Sequence, residues 1–380
     1  MKANAVSKSN PWLYWFAVLT ALATLALIGI GGLVTSHEAG MSVPDWPTTY
    51  GYNMFLFPIN KWLGGIFYEH SHRLLASLVG LMTTILAVWL WLKDRRPWMA
   101  WLGVAAFLLV VAQGVLGGLR VTMHMDSLGI YHATIAQLFF VLTCAIALFT
   151  SRWWLNLVSV AAGCDRRYKN LRRLVLATTI LIFVQLIIAA AMRHQHAGLA
   201  ISDFPLAYGG LWPDTSAEAV AGYNAQRVSM NAENPITAFQ IELQMAHRIV
   251  ALAILILTAG CAWRTRAMGA PDTAPARMGN NAETAETVLG APIYQRLSLF
   301  WLTLIVIQIG LGAATIWTNK AADVATAHVL VGALALAVGT LWCAIAFRES
   351  AAAIHARRTE QQHSPGAAAI GTQPVMTGNE

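Results

Sequence analysis

The chain has 380 residues, 57% hydrophobic and only 11% charged, with a formal net charge of +7 at pH 7. So few charges cannot cover a soluble protein of this length, which excludes a water-soluble globular fold and indicates a multispan membrane protein. The positive balance forms no basic stripe interleaved with aromatics, so nucleic acid is excluded as a partner.

A helix crossing a bilayer needs about 20 apolar residues. Eight stretches qualify, at roughly 12–34, 70–92, 98–119, 129–150, 174–192, 242–263, 297–317 and 325–347. Lys2 and Lys8 precede the first as they would a signal peptide, but its apolar run is too long for an h-region and predicts an uncleaved helix. No Arg- and Ser-rich transit peptide stands before it, which favours the bacterial plasma (inner) membrane. With the N-terminus in the cytoplasm, 18 of the 25 Lys and Arg residues fall on the inner side, so both termini are expected there.

The loop after the first span carries Ala39-Gly40, Asp45-Trp46-Pro47 and Tyr50-Gly51. This polar, turn-forming element predicts a lid over the outer end of the helices, with Asp45 fixing its turn. The second span opens with Glu69, His72 and Arg73. The third contains Gln113 and Gly114-x-x-x-Gly118, a helix-packing spacing, and closes on Arg120. The fourth opens at His132.

The same order then recurs. Ala197-Gly198, Asp203-Phe204-Pro205 and Tyr208-Gly209 repeat the loop, with Asp203 in place of Asp45. Gln244, His247 and Arg248 repeat Glu69, His72 and Arg73; Gln308 and His328 repeat Gln113 and His132. The expected fold is therefore all-α, with eight transmembrane helices in two pseudo-symmetric four-helix bundles, 11–151 and 172–348. Both enter and leave on the inner side, a parallel repeat. Segments 265–295 and 350–380, rich in Ala, Thr, Gly, Asn and Gln, read as a flexible cytoplasmic loop and tail. The cysteines (Cys144, Cys164, Cys261 and Cys343) avoid the outer loops, and no structural disulfide is expected.

A helix-end histidine in a membrane protein is ordinarily interfacial. Four at matched depth in a repeated frame are different, because an unpartnered imidazole in lipid is costly and iron ligation satisfies it. The second and fourth helices of each half run parallel, so His72 with His132, and His247 with His328, can each clamp a planar haem. The remaining histidines, 37, 70, 124, 194, 196, 355 and 363, read as solvated or interfacial. Glu69 is where the repeat breaks, since Gln244 faces it. It shares a helix face with His72 and is a candidate proton carrier, or else a solvated helix-end charge. Arg73, Arg120 and Arg248 are candidate partners for haem propionates, or else snorkelling interfacial cations.

Together these residues resemble the haem A synthase family over about 12–347. The resemblance is carried by Gly32-Leu33-Val34-Thr35, Ala39-Gly40 with Asp45-Trp46-Pro47, Glu69-x-x-His72-Arg73, Leu116-Gly117-Gly118-Leu119-Arg120-Val121-Thr122, His132-x-x-x-Ala136-Gln137, His247-Arg248 and His328. The family implies that haem O is oxidised at a porphyrin methyl, through successive hydroxylations, to the formyl group of haem A for cytochrome oxidase. It implies that His72 and His132 hold the haem O substrate beside an essential Glu69, and that His247 and His328 hold a haem b that relays electrons. Some members carry a cysteine pair in the outer loop; this chain has none there. Implied partners are the haem O synthase that supplies the substrate, membrane lipid, an electron donor or acceptor, and a second copy of the chain. Two other classes fit less well. A di-haem cytochrome serving only electron transfer would not need Glu69, and a parallel-repeat transporter should carry more polar residues at mid-membrane.

Overall fold

A computed structural model describes residues 10–156, 166–229, 235–269 and 283–363. Among the described residues, eight helices are long and apolar enough to cross a membrane. They are α1 (Pro11–Ser36), α2 (Gly65–Lys93), α3 (Pro97–Thr122), α4 (Leu128–Thr150), α6 (Arg166–His194), α8 (Ala238–Gly269), α9 (Glu283–Trp317) and α10 (Ala322–His363). Each contains one of the expected apolar runs. Two helices not expected from the apolar pattern join them, the single turn α5 (Arg152–Leu155) and α7 (Ala217–Ser229). Among the described residues there is no strand, only two isolated bridges. The chain is an all-α, multi-pass membrane protein.

Local chemistry explains these helices. In α1, Asn10 accepts hydrogen bonds from the Trp12 and Leu13 amides, and Pro11 sits in the first turn, where its missing N–H costs nothing. Inside the spans, hydroxyls turn back on their own helix. Thr20, Thr24, Thr83 and Thr178 each donate to the carbonyl four residues earlier, so a polar group lies in the apolar interior without an unmet bond. Large apolar side chains such as Leu19, Leu22, Leu81 and Ile256 stay exposed, as a lipid-facing surface requires.

In the first four spans α1 packs on α2 and α4, and α3 on both. In the last four α6 packs on α8 and α10, and α9 on both. Each set has its own core, one around Val79, Leu86, Met99 and Ile146, the other around Val175, Trp301, Leu336 and Trp342. The two sets meet where α1 touches α10 and where α4 touches α10 and α6. A smaller cluster, Phe140 with Ala333 and Ala337, fills that seam.

Some of the chain differs from expectation. Helix α9 starts at Glu283 and α10 continues to His363, so part of each segment read as linker or tail is helical. Ala, Glu, Gln and Arg, abundant there, are good helix formers. Helix α7 lies in the loop before α8 and begins where Ser216 Oγ accepts the Ala219 amide. Cys144, Cys261 and Cys343 are free thiols. Cys164 and the side chains of His355 and His363 lie outside the described residues.

Candidate functional site

The loop segments 37–64 and 195–229 close the same end of the bundle, and each folds on one aspartate. Asp45 accepts the amides of Tyr50 (2.7 Å) and Gly51 (2.9 Å) and the Thr48 hydroxyl. Asp203 accepts the matching amides of Tyr208 (2.8 Å) and Gly209 (3.0 Å). Gly51 and Gly209 have φ of +75° and +78°, the left-handed region that favours glycine at these turns. Burial works against the charge on Asp45, but the bonds from Gly51, Thr48 and Tyr50 outweigh it and hold the carboxyl below its ordinary range. Tyr50 donates its hydroxyl to the Ser42 carbonyl, and Tyr208 donates to that of Ala200. Burial pushes the Tyr208 phenol up to about 12, so it remains a donor.

The second loop carries an extra layer. Tyr223 of α7 stacks on Tyr208 with ring centres 3.6 Å apart and planes 3° from parallel. Asn224 bonds both the amide and the carbonyl of Ile236, and Arg227 donates to the Leu199 carbonyl.

Glu69 and Gln244 anchor the loops to α2 and α8. Glu69 is 4% exposed; its Oε2 accepts the Val43 amide at 2.8 Å and its Oε1 pairs with Arg73 at 2.7 Å. Gln244 is 3% exposed, and its Oε1 accepts the Ile201 amide at 2.6 Å. Val43 and Ile201 are equivalent in the repeat, so carboxylate and amide share one mechanical task. Glu69 is therefore no solvated helix-end charge.

The arginines are also engaged. Arg73 donates to the carbonyls of Val43 (2.8 Å), Asp45 (2.7 Å) and Thr48 (3.1 Å), and Arg248 to those of Asp203 (2.6 Å) and Leu206 (2.8 Å). Their terminal nitrogens hold the loops. Arg120 pairs with Asp126 at 3.0 Å and lies over Gly40, where a Cβ would stand 2.9 Å from its Nη1.

Beneath each loop lies a pair of imidazoles. His72 and His132 have ring centres 6.5 Å apart, His247 and His328 6.3 Å. An atom coordinated by one nitrogen of each ring at about 2 Å would set the centres roughly 6 Å apart, so both pairs have the span of a bis-imidazole iron site. In all four rings Nδ1 is enclosed without a hydrogen-bond partner. Glycines make room for three of them. A Cβ at Gly31 would lie 3.1 Å from His72 Cε1, at Gly117 3.4 Å from His132 Cε1, and at Gly312 3.2 Å from His328 Cε1. Gln308 Nε2 lies 3.3 Å from His328 Nε2. Among the described residues no group of three or more His, Cys, Asp or Glu could hold a bare metal ion. The two imidazoles of each pair would instead fit a haem, whose iron His72 with His132, or His247 with His328, would hold.

Two histidines read as solvated or interfacial are placed otherwise. His70 is fully buried, against Thr49, Phe57 and Trp62. It faces the folded loop, whose shape a local pattern does not reveal. His194, at the end of α6, lies directly on Gly129 of α4. Its neighbour Arg193 reaches across the seam to α1. The sequence signal for both was a second break in the repeat, since Thr35 and Ser36 stand at the equivalent positions.

The family described as cytochrome oxidase assembly protein, COX15-CtaA, matches residues 57–340. A relative named Heme A synthase from Rhizorhabdus wittichii is 26% identical over 362 residues, 86% of this chain and 91% of its own. Another of that name from Shouchella clausii is 29% identical over 209 residues, 53% of this chain and 66% of its own. A third, from Alkalihalophilus pseudofirmus, is 29% identical over 217 residues, 55% and 68%. The match runs from the first loop to the last span and includes all four paired histidines, and the chain belongs to this cytochrome oxidase assembly family, the haem A synthase family.

Proposed function

We propose that this chain is an oxidoreductase that converts haem O to haem A. Residues 11–151 would hold the substrate haem O between His72 and His132, and residues 172–348 a resident haem b between His247 and His328 that relays electrons. The observation that carries this reading is the two imidazole pairs, at 6.5 and 6.3 Å, beneath matching loops at one end of the bundle. Positively charged residues gather at the other end, so that end is assigned to the cytoplasm of a bacterial cell with both termini, and the paired histidines to the outer side.

A bound iron porphyrin supplies redox chemistry that side chains cannot. The protein contributes position, exclusion of water and a proton site. The loops, fixed by Asp45 and Asp203, are tied by Arg73 and Arg248 to the helices that carry His72 and His247. Taking a methyl to the formyl level removes hydrogen together with electrons, the electrons passing to the electron acceptor, and we assign the proton handling to Glu69, one helical turn from His72. Its carboxylate stands where the other set has only the amide of Gln244, and this asymmetry supports assigning the oxidation to the first set. Equal pairs alone would suit a di-haem electron carrier; the buried carboxylate favours the enzyme.

The test is conversion in cells. Expressed in a host that makes haem O but no haem A, the chain should yield haem A in extracted pigments. Haem O and haem b alone, from well-inserted protein, would refute the reading.

A further inference from the structure

The seam between the two sets of helices carries a cation that neither loop uses. Arg193, near the end of α6, donates from Nη2 to the Gly32 carbonyl (2.5 Å) and to Ser36 Oγ (2.7 Å), both on α1. Gly32 faces α10, where a Cβ would stand 3.0 Å from Cγ2 of Thr326, and on the His328 side of α10 a Cβ at Gly332, one turn past His328, would stand 3.1 Å from Leu186 of α6, two turns before Arg193. Arg193 thus lies where α1, α6 and α10 converge, on the face of α6 that follows the His328 side of α10.

Both acceptors are neutral. Among the described residues the ion pairs are Arg73–Glu69, Arg96–Asp94 and Arg120–Asp126, and Arg193 is in none of them. Its Nε is enclosed and has no hydrogen-bond partner, and so is Oγ1 of Thr326. A partly buried guanidinium at the end of a membrane helix, with no anion beside it, is costly. Planar forked donors suit a carboxylate above other anions of biological size, except phosphate. Beside a paired-imidazole site, the matching carboxylate is that of a porphyrin side chain.

We propose that Arg193 binds a carboxylate of the haem seated between His247 and His328 and, from the seam, raises that haem's reduction potential. The inference rests on the reading that this pair holds a haem. A fixed positive charge favours the reduced form, because reduction adds an electron near it. The repeat has Thr35 at this position in the first set, so the effect belongs to the second site. Arg193 is a positioning and tuning residue rather than a catalytic one.

The experiment is a potentiometric titration of the purified, haem-loaded chain, followed by the low-spin haem b absorption band. Arg193→Gln should lower the midpoint potential, and Arg193→Lys should restore most of it. Ser36→Asp places a carboxylate against Arg193 without removing it and should lower the midpoint as well. Ser36→Ala deletes the neutral tie, keeps the charge, and should leave the midpoint in place. Full haem content with an unchanged midpoint in either Arg193→Gln or Ser36→Asp overturns the proposal. So does a shift in Ser36→Ala as large as that in Arg193→Gln, because the tie would then be the cause. If Arg193→Gln does not retain haem, Ser36→Asp decides. Absence of any haem b band in the unsubstituted chain would instead defeat the reading of the second site, and it shows before any substitution is made.

Discussion

Glu69→Gln separates two tasks that one residue performs. The structure contains the control, since Gln244 already anchors the second loop through Oε1 to Ile201 N at 2.6 Å. A glutamine at 69 can accept the Val43 amide in the same way. What it loses is the charge-assisted bond to Arg73 at 2.7 Å, while Arg73 keeps its three carbonyl acceptors. The stability cost should therefore be roughly 1–2 kcal/mol, at the low end for a bond to a charged group. Glu69→Ala is harsher. It removes the acceptor of Val43 N and leaves Arg73 without its carboxylate, a change of about 3–5 kcal/mol for a buried pair. If Glu69 handles protons, haem A formation by Glu69→Gln should fall about 10²–10⁴-fold, the usual worth of general acid–base catalysis. Chromatography of extracted haems measures product, and the haem b band and thermal stability report the rest. Haem b should stay near its normal level. Near-normal haem A formation by Glu69→Gln would reduce Glu69 to a loop anchor and remove the argument for placing oxidation in the first set.

Three further outcomes follow from the geometry. Gly312→Val adds atoms where even a Cβ stands 3.2 Å from the His328 ring, so the variant should insert in the membrane but lose most of its low-spin haem b absorption. Asp45 is held below its ordinary carboxyl range, so its contribution to loop stability is complete above the unfolded value of about 3.9 and is lost as pH falls through the lower folded value. Hydrogen exchange in loop 37–64 should thus accelerate only in strongly acid solution, and Asp45→Asn should give fast exchange already at neutral pH. Reporter fusions after residue 95 and at the C-terminus should report cytoplasm, and fusions near 55 and 220 the outside; an inner location for 195–237 would overturn the one-sided placement of the histidines.

The eight spans were readable because lipid demands long apolar helices and leaves little alternative. The histidine pairs were readable because the repeat aligned them, although neither pair is close in sequence. What stayed hidden depends on where the loops fold back. Arg73 read as a propionate partner or a snorkelling cation, and nothing local showed that its bonds run to carbonyls 25 to 30 residues away. His70 looked interfacial because nothing local shows that Phe57 and Trp62 close over it. Arg193 meets Gly32 across 161 residues, a contact no periodicity encodes. Helix α7 was missed because its pattern is mixed rather than apolar. Its marks were Ser216 at the cap and Glu218 in the first turn.

The central claim is that each imidazole pair holds its own haem. The direct test is the pigment of the purified chain compared with that of His328→Ala. The unsubstituted chain should carry haem b together with haem O or haem A. His328→Ala should lose the low-spin haem b signal while haem O or haem A remains with the first pair. A full haem b spectrum in His328→Ala, or a chain that binds no haem at all, would contradict the account.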